Sequence, residues 1–237
     1  MNMQMTEISE IPVNCFSGMS EAVDYILKYG RGKTAVAINP EKILTAIRSS
    51  EAREVLLKAD IRYLDGIGAV KVAEKKLSTK LSRVPGCELW EELMKASSNE
   101  EKSVFLLGAS LEVVTKTSSK LVSEYGVNVV GFSDGFFENG DDIIERIQAL
   151  KPDILTVAMG SPKQELFMQK CRDSGIDAFM MGVGGTYNVF VGAADRAPRA
   201  WCNLNLEWLY RLLKEPRRFF RQVRLIKFLW LAFTNKI

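Results

Sequence analysis

The sequence predicts a doubly wound α/β domain with a mainly parallel sheet, followed by an amphipathic helical appendage at the C-terminus. Three observations carry this reading. Short, nearly continuous apolar runs, such as 103–107 and 153–158, read as strands buried on both faces, as in a parallel sheet. These runs alternate with segments of helical spacing. Several end in Gly, Asp or Asn just before a helix, the pattern at the ligand edge of an open α/β sheet.

The elements follow in order. Residues 1–18 read as an edge strand or hairpin, marked by Ile8, Ile11, Val13 and Phe16. A helix over 20–29 stops at Gly30. The strand 34–38 is broken by Asn39-Pro40, and Pro40 opens a helix through Ile47. The strand 61–64 meets Asp65-Gly66-Ile67-Gly68, and a helix runs on through Val70 and Ala73. Arg83-Val84-Pro85-Gly86 is an extended crossover ahead of a helix over 87–96. The strand 103–107 ends at Gly108, a helix covers 113–125, and the strand 127–130 leads into a loop from Gly131 to Phe137. After the strand 153–158, Ser161 is expected as N-cap and Pro162 as first helical residue, with the helix stopping at Ser174-Gly175. The strand 178–181 enters Gly182-Val183-Gly184-Gly185-Thr186 and then another helix. This makes about six strands. Residues 205–213 read as helical, and Pro216 starts a last helix. The division is 1–203 for the α/β domain and 204–237 for an appendage of the same unit.

Composition narrows the chemistry. A chain of 237 residues has room for one full core, and 47% hydrophobic residues is a globular proportion. The four cysteines show no CxxC spacing and the start shows no signal-peptide pattern, so reduced thiols in the cytoplasm are expected. No run of 18 apolar residues occurs. The net charge of +3 is uneven: residues 211–237 hold eight Lys and Arg against Glu215 alone, a net of +7, which leaves the rest at −4. An anionic partner at one end, and no nucleic acid on the body, is the expectation. There is no histidine. A general base must therefore be a carboxylate, or failing that Lys, Tyr or Cys. No Asp-x-Asp triplet is present, so no metal or other cofactor is expected. Backbone amides with Arg or Lys would then neutralise a leaving phosphate.

Several residues carry two readings. Asn39 is a helix N-cap, or an amide aimed at ligand from a strand end. Asp65 before Gly is a turn residue, or a carboxylate at the ligand edge. Arg83 is a surface arginine or a substrate contact. Phe136 is a core aromatic or a platform for a base. The Gly184-Gly185 turn is only tight, or presents amides to an anion; it lacks the GxGxxG pattern of a dinucleotide fold, because Thr186-Tyr187 follow the third Gly. In the last helix Arg217, Arg221 and Arg224 share one face of the wheel, with Phe219, Val223, Ile226 and Trp230 opposite. That suits an anionic bilayer surface, or else a core-packed helix with a solvated basic face.

The segments SPKQE, GVGGTYNVF, GAADRAP and LEWLYRLLKEPRR, with VAINPEKILTA, YLDGIGAV, SRVPGCELWEEL and VFLLGAS upstream, closely resemble the WecG/TagA/CpsF family of glycosyltransferases over essentially the whole chain. The wording of 83–93 and 156–164 is most similar to the WecG branch, the UDP-N-acetyl-D-mannosaminuronic acid transferases of enterobacterial common antigen synthesis. The resemblance implies a Rossmann-like fold and inverting transfer from a UDP-sugar to N-acetylglucosaminyl-diphospho-undecaprenol. It implies Asp65 as catalytic base, raised above the ordinary Asp range by partial burial, with Asn39, Gln164 and Arg83 beside it. Gly108, Gly135, Phe136, Gly184, Gly185 and Asn188 would meet the UDP-sugar; Asn188 stands where most members have Asp. Arg217, Arg221 and Arg224 would meet inner-membrane anionic lipid or the lipid diphosphate, on the cytoplasmic face. For the uronate carboxylate the candidates are Arg83, Lys163, Arg196 and Arg199, with Arg83 preferred. Homo-oligomerisation is left open. The alternatives are an N-acetylmannosamine transferase of teichoic-acid type, a dinucleotide-dependent oxidoreductase, and a non-catalytic module recruited to membranes.

Overall fold

Eight strands form one sheet in the order β1-β2-β4-β3-β8-β7-β5-β6. They are β1 (Met5–Ile8), β2 (Ile11–Asn14), β3 (Thr34–Ile38), β4 (Ile61–Leu64), β5 (Ser103–Gly108), β6 (Asn128–Ser133), β7 (Ile154–Ala158) and β8 (Phe179–Gly182). The β1–β2 hairpin is antiparallel, and every other pairing is parallel. The computed structural model describes residues 3–204, 206–214, 227–234 and 237.

The two faces of the sheet are read directly from strand alternation. Val36, Ile38, Leu64, Phe105, Leu107, Leu155, Val157 and Met180 enter one core, and Ala35, Tyr63, Val104, Leu106, Ile154 and Met181 enter the other. The first core is covered by α2 (Pro40–Arg48), α3 (Ser50–Lys58), α4 (Ile67–Leu77), α7 (Gly140–Leu150) and α8 (Lys163–Asp173). The second is covered by α1 (Met19–Tyr29), α5 (Gly86–Asn99), α6 (Leu111–Tyr125) and the short α9 (Thr186–Phe190). Helices on both faces of a largely parallel sheet make the fold Rossmann-like and doubly wound, as predicted. Two diverging pairs of strand ends follow. The chain leaves β3 toward α2 on one face and β8 toward α9 on the other; β7 and β5 likewise lead to α8 and α6 on opposite faces. Ligand crevices of open sheets form where neighbouring loops part in this way.

The structure corrects some of the expected elements. The hairpin brings the strand number to eight. β6 does not stop at Val130: a register shift between Val104 and Phe105 pairs Phe105 with Gly131, and the ladder continues to Ser133. The Phe105 ring lies 2.8 Å from where a Gly131 Cβ would stand, so the missing side chain keeps this stretch in the sheet. Pro162, after a cis peptide bond, occupies the N-cap position of α8 and Ser161 does not cap it. The stop is as expected, with Gly175 at φ +81° beyond Ser174.

α10 (Arg199–Asn203) ends the α/β part; after it α11 (Glu207–Lys214) precedes residues 227–233, which are helical. The predicted helix start at Pro216, and with it Arg217, Arg221 and Arg224, lies outside the described residues. Phe228 is fully buried in the core that α4 covers, 3.2 Å from the place of a Cβ on Gly68, and Ile237 is buried there too. Leu204, Trp208, Leu213, Leu229, Trp230 and Phe233 are exposed. The described residues of the appendage thus include buried anchors and exposed apolar side chains.

Candidate active site

The loops at the carboxyl ends of β3 and β4 are clasped together. Asp65 and Gly66 both donate their amides to the Ile38 carbonyl, at 3.0 and 3.3 Å. A Cβ on Gly66 would lie 2.6 Å from Pro40 Cδ and 3.0 Å from Asn39 Cβ, so only glycine permits this approach. Asn39 caps α2: its Oδ1 accepts from the Lys42 amide at 3.0 Å. The capping role is therefore real, and the same residue packs against Gly66, next to Asp65.

Asp65 stands at this junction with 28% of its side chain exposed. Its Oδ1 accepts from the Gly86 amide at 3.3 Å. The crossover 83–86 is held alongside β4 by Val84 N–H to the Leu64 carbonyl, 2.8 Å, and by Arg83 Nε to the Asp65 carbonyl, 2.6 Å. The Arg83 guanidinium lies 3.9 Å from Asp65 Oδ1 and donates to Glu207 Oε2 at 2.8 Å. Arg83 is thus paired with a carboxylate from α11. Beneath Asp65 lies Tyr63, buried and 3.0 Å by its hydroxyl from the place of a Gly86 Cβ. Burial, then the negative fields of Asp65, Cys87 and Glu165, push the Tyr63 phenol well above its ordinary value. It stays a neutral donor at any working pH.

The loop after β8 rests on Gln164, the second residue of α8. Gln164 is buried. Its Nε2 is 2.5 Å from the place of a Gly182 Cβ, and its Oε1 accepts from the Gly184 amide at 2.9 Å. Val183 N–H goes to the Val157 carbonyl, 2.9 Å, and Thr186 N–H to the Val183 carbonyl, 3.2 Å. Three of the amides expected to cradle an anion are therefore satisfied within the protein. What remains is shape: Gly184 at φ +54°, and Gly185 with open space where its side chain would stand. Tyr187 anchors the following turn, its buried hydroxyl bonded to Thr156. Asn188 is half-buried one residue further on.

At the β5, β6 and β7 ends the floor is bare backbone. Gly108 has φ +112°, and a Cβ there would lie 2.5 Å from the Ala158 carbonyl oxygen. Gly135 donates to the Ala109 carbonyl at 2.9 Å and its own Cβ would fall 3.2 Å from Gly108 Cα. Phe136 is 79% exposed at the rim, its amide held by Asp134 at 3.0 Å, so it is not a core aromatic.

Of the other cations, Arg196 is paired with Glu88. Lys163 is exposed at the start of α8 with no ion pair among the described residues. The Arg199 side chain lies outside the described residues. Among the described residues no three His, Cys, Asp or Glu side chains gather as a metal site would need. Nor is any described helix long and apolar enough to cross a membrane. Three participants escape sequence reasoning. Glu207 and Lys42 meet partners more than 120 residues away, and Glu165 is seen only as part of SPKQE. No local spacing announces such pairs.

Asp65, Asn39 and the Gly184 loop thus share one edge with a glycine floor and an exposed phenylalanine. A family model described as glycosyl transferase WecG/TagA/CpsF family matches residues 6–237.

Proposed function

The chain belongs to the WecG/TagA/CpsF family of glycosyltransferases, and from that premise we propose that it transfers N-acetyl-D-mannosaminuronic acid from its UDP donor to N-acetylglucosaminyl-diphospho-undecaprenol. The product would be the second lipid intermediate of enterobacterial common antigen. The observation that carries the catalytic part is Asp65: a half-buried carboxylate held by the Gly86 amide at the meeting of the β3 and β4 loops. In this scheme Asp65 takes the proton of the acceptor hydroxyl as its oxygen attacks the anomeric carbon. The bond from that carbon to the UDP oxygen breaks on the opposite side, with inversion. Asn39 and the Gln164-braced loop line the sugar. Gly108, Gly135 and Gly185 let the nucleotide approach backbone closely, with Phe136 placed to stack uracil. Asn188 supplies an amide to the nucleotide. Lys163, exposed and with no ion pair among the described residues, is offered to the leaving diphosphate. No divalent ion takes part.

The exposed Trp208, Trp230 and Phe233 beside a basic stretch support a peripheral position on the cytoplasmic membrane face. There Arg217, Arg221 and Arg224 contact anionic lipid.

One observation favours a second reading. Arg83, the preferred reader of the uronate carboxylate, is already matched by Glu207. An enzyme with that cation spent would suit uncharged N-acetylmannosamine, as in teichoic-acid synthesis. Transfer assays with the two UDP-sugars against the lipid-linked acceptor decide. Preference for the uronic acid donor, reduced selectively in Arg83→Met, supports the first reading. Wild-type preference for the neutral sugar overturns it.

A further inference from the structure

We infer that Lys42 and Glu165 are a positioning pair that locks the loops after β3, β7 and β8 together and so sets the sugar crevice; this rests on the glycosyl-transfer reading above.

The ion pair spans two helix starts. Lys42 Nζ lies 2.7 Å from Glu165 Oε1, with only 16% and 2% of the two side chains exposed. From this pair a continuous hydrogen-bonded line runs both ways. The Lys42 amide donates to Asn39 Oδ1 at 3.0 Å. On the other side Gln164 Nε2 donates to Glu165 Oε1 at 3.2 Å, and Gln164 Oε1 accepts from Gly184 N–H at 2.9 Å. Asn39 and Gly184 are thereby joined through Lys42, Glu165 and Gln164, without use of the sheet's own ladder.

Stability alone does not account for this arrangement. Lys42 sits in the first turn of α2, where the helix field disfavours a cation. Burying two charges costs more than a packed apolar pair of the same volume in many proteins. Glu165 Oε2 is also buried with no hydrogen-bond partner among the described residues, which a core shaped for stability avoids. Burial alone would raise the Glu165 carboxyl; the charge and hydrogen bond of Lys42, with that of Gln164, outweigh it and hold the group below the ordinary range. Glu165 is therefore an anchored anion. Asp65, half-buried with 28% of its side chain exposed, is the carboxylate left to meet substrate in the proposed scheme.

The test compares wild type with Lys42→Met/Glu165→Met and with Glu165→Gln, in three measurements: melting temperature, amide exchange of Gly184 against Leu106, and kcat and KM for the UDP-sugar. The double variant should melt within a few degrees of wild type, since apolar replacement of a buried pair is often neutral. Its Gly184 amide should exchange at least about 10-fold faster while Leu106 is unchanged. Its kcat should fall about 10²-fold, the scale of an ångström-sized misplacement, with KM changed less. A folded double variant with wild-type Gly184 exchange and kcat within about 3-fold would reduce the pair to packing and overturn the inference. Should the double variant fail to fold, Glu165→Gln decides by the same two readouts: faster Gly184 exchange and lower kcat support the pair, and unchanged values overturn it. Gly184 exchange needs no substrate. A wild-type protein that transfers no sugar would refute the glycosyl-transfer reading while leaving the exchange result to judge the pair.

Discussion

Gly66→Ala is the sharpest perturbation of the proposed catalytic edge. Gly66 has φ −88° and ψ 131°, which alanine adopts freely, so the backbone itself is not strained. The conflict is steric. The new Cβ would stand 2.6 Å from Pro40 Cδ and 3.0 Å from Asn39 Cβ. Carbon atoms in contact prefer about 3.5–4.0 Å, so one of the two loops must retreat by nearly 1 Å. Neither the proline ring nor the Asn39 backbone can yield by a rotamer change. The overpacking should cost about 1–3 kcal/mol. In a chain of this size that lowers Tm by about 2–12 °C, at 2–4 °C per kcal/mol. Turnover should fall further than stability suggests, about 10²-fold, because the Asp65 carboxylate moves with the loop relative to Asn39. Scanning calorimetry and UDP release in the transfer assay read the two effects. An alanine variant with wild-type Tm and wild-type kcat would mean that the β3 and β4 loops do not meet as described, and the assembly of the site around Asp65 would fall with it.

Four further outcomes are expected. Asp65→Asn should keep the Gly86 hydrogen bond and the fold but lose about 10²–10⁴ in turnover, the usual share of a general base; near-normal turnover would remove Asp65 from the role. Gly185→Ala, with φ −83° and nothing within 4 Å of the new methyl group, should leave Tm unchanged and raise the donor KM about 10-fold or more, about 1.4 kcal/mol; an unchanged KM would move the diphosphate elsewhere. Transfer should persist in excess EDTA, and loss restored by Mg²⁺ or Mn²⁺ would refute the metal-free scheme. Charge reversal at Arg217, Arg221 and Arg224 should weaken sedimentation with anionic vesicles by about 1 kcal/mol per residue, less so at high salt. Deletion after Pro216 is a poorer test, because it also strips Phe228 from the core; vesicle binding equal to wild type in the reversed protein would assign the basic face to solvent.

The fold was legible where local pattern and burial coincide. The strands β3, β4, β5, β7 and β8 are short apolar runs closed by turn residues, and pattern places each within a residue or two. Gly131 does not fit the pattern, since a glycine after Val129-Val130 looks like a strand's end. Only the Phe105 ring, seated where its side chain would be, explains why the ladder continues. α3 and α7 are harder to see in the sequence, because four charged residues in each interrupt a short apolar spacing. Site residues at strand ends were legible for a topological reason: in a parallel sheet every such end lies on one edge. Asp65, Asn39 and Gly184 all lie along it. Their bracing was not legible. Glu165 meets Lys42 and Glu207 meets Arg83 across 123 and 124 residues, and no periodicity encodes a contact of that span. For the same reason the amides of the Gly184 loop looked available, although Gln164 already holds one of them.

The strand order has a bearing on how the chain is made. β3 and β8 are neighbours in the sheet, yet Thr34 leaves the ribosome about 140 residues before Phe179. At about 5–20 residues per second that interval is about 7–30 s. During it β1 to β4 can pair among themselves, and β5 to β7 can do so separately. The seam between the two groups is a strand that arrives last, and until then the β3 edge has unpaired amides and carbonyls. Asn39 belongs to one group, Gln164 to the other, and Gly184 to the strand that unites them. A nascent chain that has not yet extended its eighth strand can hold the Asn39–Asp65 half of the proposed catalytic edge, but not the Gly184 loop that faces it across the seam.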